Sequence, residues 1–114
     1  MYIAQQIAAR AVSQVLAGRN LNIALEAALD ERAALEPQQR AAARDLSYGA
    51  LRFYGESQAL LAQLLQKPLA DAGLHGLLLV ALYQLNHDQA ASHTVVDQAV
   101  KAAGASSKKP WAKS

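Results

Sequence analysis

Over residues 74–85 the chain is apolar at almost every position. Leu74, Leu77, Leu78, Ala81, Leu82 and Leu85 recur at three- and four-residue steps, which is one face of a helix. Leu79, Val80 and Tyr83 fall on its other sides. A helix apolar nearly all round is buried in protein or in membrane. This run has 12 residues, whereas a bilayer span needs about 20. The pattern predicts the central helix of a small bundle, with the other helices packed around it.

The flanking pattern supplies those helices. Over residues 2–17, Ala4, Ile7, Ala8, Ala11, Val12, Val15 and Leu16 form an apolar arc, with Gln6, Arg10, Ser13 and Gln14 opposite, facing water. Gly18 is a natural stop, because glycine takes the left-handed conformation after a helix at little cost. Asn20 or Asn22 can cap a second helix carrying Ile23, Leu25, Ala28 and Leu29 and ending near residue 34. Pro37 suits the first turn of a third helix, expected to reach residue 54 with Ala42, Leu46, Gly49, Ala50 and Phe53 inward. Gly49 is unfavourable there by about 1 kcal/mol relative to alanine, which points to a second backbone passing close. A fourth helix, residues 56–66, presents Leu60, Leu61, Leu64 and Leu65 and is stopped by Pro68. After a polar connector, Thr94 and Asp97 make a weak capping box for a sixth helix with Val95, Val96, Ala99, Val100 and Ala103 on its apolar face. Residues 1–104 thus read as one helical domain and 105–114 as a basic tail.

Composition strengthens the helical reading. Alanine and leucine supply 44 of 114 residues, and isoleucine, valine and threonine only 10, which favours helix over strand. The fold class expected is all-α, in one domain with one core. Cysteine is absent, so there is no disulfide, thiolate metal site or cysteine nucleophile. No secretory signal is visible, since Gln5, Gln6, Arg10, Ser13 and Gln14 interrupt the first apolar stretch, and a cytoplasmic protein is expected. The net charge of +2 is unevenly spread. Beyond Asp97 there are four lysines and no acid, while the remainder holds seven basic residues against nine acidic.

Candidate chemistry is confined to binding. Arg40, Arg44, Tyr48 and Arg52 stand four residues apart, a stripe mostly opposite the core face of the third helix. Guanidinium groups bind phosphate in bidentate fashion, and a tyrosine can stack on an unpaired base. The plainer alternative is a solvated helix face with Arg44 or Arg52 paired to nearby acids. Leu51 sits on the same outward side, which suggests that another element covers part of it. Arg10, between Gln6 and Gln14, is a second polar ladder. Lys108 and Lys109 in the tail can touch phosphate, although a solvated tail is the simpler reading. His75, His87 and His93 lack the spacing of a helical metal motif, and no nucleophile elbow or glycine-rich phosphate loop is present. No catalytic residue and no metal ligand is assigned.

Five segments nonetheless carry a resemblance: AARAVSQVL (residues 8–16), DLSYGALR (45–52), LLQKPL (64–69), ALYQL (81–85) and SHTVVDQAV (92–100). In that order they resemble the N-terminal NusB-like domain of the bacterial 16S rRNA (cytosine-5) methyltransferase family known as RsmB, Sun or Fmu. The segment around Tyr48 and Arg52 is the most specific. The resemblance implies an all-helical NusB-like bundle that binds RNA and places small-subunit rRNA before a C-terminal methyltransferase domain. That domain would bind S-adenosylmethionine and use a cysteine as nucleophile. This chain has neither the cysteine nor the length for it, so it is expected to transfer no methyl group by itself.

The family continues past the position of Ser114 with a further helix, so either an excised fragment or a truncated product is expected, and apolar surface around Val95, Val96 and Val100 would then favour self-association or a tail held by Trp111. The family also carries prolines before the histidine matching His93, where this chain has Ala90, Ala91 and Ser92. Two other readings stand beside this one: a stand-alone NusB-type transcription antitermination factor binding RNA and a ribosomal protein, and a helical interaction module that binds no RNA.

Overall fold

Five helices follow one another between Tyr2 and His87, and no strand occurs among the described residues. They are α1 (Tyr2–Leu16), α2 (Leu21–Asp30), α3 (Pro37–Arg52), α4 (Tyr54–Leu64) and α5 (Ala72–His87). The structure, a computed structural model, describes residues 2–32, 34–64 and 71–87. The expected sixth helix, the Pro68 stop, the basic tail and the surface around Val95 lie outside them. No helix among the described residues is long and apolar enough to cross a membrane.

Local chemistry sets the helix ends. Gly18 closes α1 with φ of +107°, the left-handed region that a side chain rarely enters. Asn20 caps α2, its side-chain oxygen accepting from the N–H of Ile23 at 3.3 Å. Loss of that bond in Asn20→Ala is expected to lower stability by about 1 kcal/mol, read as an earlier urea midpoint with an unchanged slope. Pro37 opens α3, and the Gln39 side chain turns back to accept from the Glu36 N–H at 3.0 Å. Two boundaries differ from expectation. α2 stops at Asp30, and Ala34 then turns left-handed with φ of +59°. α3 breaks at Phe53, so α4 starts earlier than the pattern indicated.

The core is built where α1 meets its neighbours. Ala4, Ile7, Ala8, Ala11 and Val12 of α1 pack with Leu25, Ala28 and Leu29 of α2, with Ala43, Leu46 and Ala50 of α3, with Leu61 of α4, and with Leu79 and Val80 of α5. α1 packs against α2, α3 and α5, α5 packs against α1, α3 and α4, and α3 touches all four of the others, so three helices share the centre assigned to one.

The deeply buried face of α5 is also not the leucine stripe. Gly76, Leu77, Leu79, Val80, Ala81 and Gln84 are buried; Leu74, Leu78 and Leu82 are half-buried and Leu85 is 38 % exposed. A helix apolar on every side gives periodicity no purchase, and the partner decides. α1 runs antiparallel to α5 and comes so near that a Cβ at Gly76 would stand 2.4 Å from the Ala9 carbonyl oxygen. Along the same seam Gln5 donates from Nε2 to Gln84 Oε1 at 2.8 Å, both side chains fully buried. On α2, Ile23 was expected to pack inward and is instead 65 % exposed; Ala24 is buried in its place.

α3 and α5 run in the same sense, since Gly49 meets Tyr83 and, one turn on, Phe53 meets His87. The close approach expected at Gly49 is real, but its cause is a ring rather than a backbone: a Cβ there would fall 2.1 Å from Tyr83. Leu51 is half-covered against the core, and Phe53 is half-buried.

Candidate nucleic-acid interface

α2 and α3 lie antiparallel, and their facing side chains are tied in register. Glu26 holds Arg44 at 2.8 Å, and the Tyr48 hydroxyl donates to Asn22 Oδ1 at 2.9 Å. Continuing that register sets Arg40 level with Asp30. Both Arg44 and Glu26 are about half exposed, so the pair contributes about 0.2–1 kcal/mol at most. The stripe is therefore laced to α2 rather than standing free. Arg44 is paired to an acid, as the plainer reading of the sequence held. Arg40 is half-buried and Arg52 exposed, and among the described residues neither has an ion-pair partner. Tyr48 is 49 % exposed, a ring fixed at its hydroxyl with open surface beside two arginines.

A second charged group forms where the end of α2 meets α1. Arg10 pairs with Glu31 at 2.8 Å, both side chains at least half exposed. Arg32 donates to the Gln6 side-chain oxygen. Gln6 was expected to face water and is instead buried, because α2 closes over that side of α1 and brings Arg32 down onto it. Lys108 and Lys109 lie outside the described residues.

The sequence pattern did not join a third group. Phe53 and His87 stack face to face, with ring centroids 3.7 Å apart and planes 9° apart. Tyr83 lies 6.0 Å from Phe53 and 6.1 Å from His87 with its plane nearly parallel. Glu56 of α4 accepts from or pairs with His87 Nε2 at 2.8 Å, and the Arg52 guanidinium sits 5.7 Å from the Phe53 ring centre, within cation–π reach. These residues come from α3, α4, α5 and the turn between α3 and α4. The only local signal was the four-residue step from Tyr83 to His87. His75 bonds Gln58 instead, and no cluster of three metal-ligating side chains occurs among the described residues.

What this surface can do chemically is bind polyanions and flat rings. Among the described residues the buried polar side-chain atoms lacking a partner are Gln5 Oε1 and Ser57 Oγ, single atoms inside packed helices, and no strand there leads into a glycine turn of the kind that cradles a nucleotide.

Comparison with known proteins locates the chain. The NusB family profile matches residues 3–113. The chain is 42 % identical over 109 residues to the Pseudomonas putida protein named ribosomal RNA small subunit methyltransferase B, covering 93 % of this chain and 24 % of that one. The Pseudomonas syringae protein of the same name is 41 % identical over 109 residues, covering 93 % and 23 %. The Vibrio vulnificus one is 34 % identical over 90 residues, covering 77 % and 20 %. The matched part is the N-terminal portion of these proteins, so the chain spans about a quarter of their length. No solved structure matches the chain.

Proposed function

The chain belongs to the NusB family, and from that premise we propose that it is the RNA-binding N-terminal domain of a bacterial small-subunit rRNA methyltransferase. The observation that carries this is the alignment of 93 % of the chain with the first quarter of proteins bearing that name. Its task is to hold rRNA in the cytoplasm while a C-terminal domain of the same polypeptide, binding S-adenosylmethionine, methylates a cytosine of the 16S molecule. The relatives' name favours this over a stand-alone antitermination factor.

The chemistry runs through the α2–α3 face and the end of α2. Arg40, Arg44 and Arg52 supply charge for successive phosphates, Tyr48 offers a ring to an unpaired base, and Arg10 extends the surface onto α1. Arg44 and Arg10 exchange an exposed carboxylate for a phosphate, a swap between two weak ion pairs in water. Lys108 and Lys109 add charge from the tail.

The test is a salt-dependent titration with a small-subunit rRNA fragment. Reversing Arg40 and Arg44 to glutamate is expected to weaken binding at least tenfold, roughly 1.4 kcal/mol, and to flatten the salt slope by about 2. Circular dichroism should be unchanged, because Arg44 is half exposed and holds only a surface pair. Equal affinity and slope in the parent and the double variant would remove this face from the RNA site.

A further inference from the structure

We infer that the Phe53–His87 stack, with Arg52 beside it, is a docking place for one unpaired base of single-stranded RNA. This rests on the RNA-binding reading above and adds a distinct site to it.

The geometry has three parts. The first is a rigid ring surface. The His87 ring is held on one face by Phe53 at 3.7 Å and at Nε2 by Glu56 at 2.8 Å. Tyr83 supports the pair from within and is itself seated where Gly49 leaves room on α3. A ring already fixed on two sides loses little freedom when a base lands on it. The second is access. The His87 side chain is 27 % exposed. Phe53 covers one face of the ring, Tyr83 lies 6.1 Å away, and the base takes the part of the ring that stays exposed. Aromatic and imidazole faces are the platforms on which splayed bases stack, largely regardless of sequence.

The third part is continuity with charge. Arg52 closes the stripe begun by Arg40 and stands 5.7 Å from Phe53. No acid pairs with it among the described residues. An RNA strand tracked by the stripe therefore arrives at the platform with a phosphate on Arg52. The Glu56 carboxylate, held at the Nε2 edge of the imidazole at 2.8 Å, repels phosphate there and so steers the sugar–phosphate chain away from that edge. The favoured ligand is an unpaired nucleotide, because a duplex keeps its base faces covered.

The experiment uses the 114-residue chain and a single-stranded oligonucleotide of small-subunit rRNA sequence carrying 2-aminopurine, beside a duplex of the same sequence. The parent should quench the 2-aminopurine on binding. His87→Ala should abolish the quench and weaken single-strand binding about five- to a hundredfold, with the salt slope unchanged because stacking releases no counterions. His87→Phe should restore both, and duplex binding should be equal for parent and His87→Ala. Arg52→Gln should lower the salt slope by about 1.

If His87→Ala and Arg52→Gln both bind the single strand as the parent does, while reversal of Arg40 and Arg44 still weakens it, the platform is refuted and the RNA-binding reading survives. If the parent binds neither RNA, both fall together.

Discussion

Gln84→Ala is expected to lower the unfolding free energy by about 3–4 kcal/mol. The side chain is 1 % exposed and accepts from Gln5 across the α1–α5 seam. Its removal leaves a buried amide with no partner, about 1–3 kcal/mol, and a cavity that adds further cost. Gln5 Oε1 is already without a partner, so the seam carries an unmet acceptor even in the parent. A double change therefore separates polarity from packing. Leucine is close to glutamine in volume, and Gln5→Leu with Gln84→Leu together should leave stability near the parent value or above it, while each alone should destabilise by about 1–3 kcal/mol. Urea unfolding of the four proteins gives the coupling directly. Strict additivity of the two single changes would mean that the amide pair contributes nothing as a pair.

Gly76→Ala should be the next most damaging small change, by about 1–3 kcal/mol. On propensity alone it ought to stabilise α5 by about 1 kcal/mol. The added methyl, however, meets the Ala9 carbonyl oxygen at 2.4 Å, and a backbone cannot swing aside as a flexible side chain can. α1 and α5 must separate along their whole contact. Gly55 is the internal control: it lies in α4 and a Cβ there meets nothing within 4 Å. Gly55→Ala should raise the thermal midpoint where Gly76→Ala lowers it. Two midpoints moving in the same direction would contradict the close approach.

Both positions mark the limit of reading the chain without its fold. The helices, their order and most of their ends were legible, because Gly18, Asn20 and Pro37 act on their immediate neighbours and Ile7, Ala8 and Val12 recur with helical period. Which side of α5 goes deepest was not legible, because nearly every side is apolar and the choice belongs to α1. Gln5 and Gln6 look alike in sequence, yet one is sealed against Gln84 and the other is bound by Arg32; only the neighbouring helix tells them apart. The arginine stripe of α3 was visible in the four-residue step, and its lacing by Asn22 and Glu26 was not, since it depends on the register of a second helix. Phe53, Tyr83, His87 and Glu56 were scattered over three predicted helices and a loop, and no local rule unites them.

The seam between α1 and α5 also sets a clock. Gln5 and Gln84 are 79 positions apart, and at about 5–20 residues per second a ribosome needs about 4–16 s to go from one to the other. For that interval α1 has emerged with its inner face still waiting for α5. Its alanine-rich surface then matters for a second reason. Small side chains that let two backbones meet in the finished bundle also expose little apolar area to the crowded exit of the ribosome, so α1 can wait for α5 without seeking another partner.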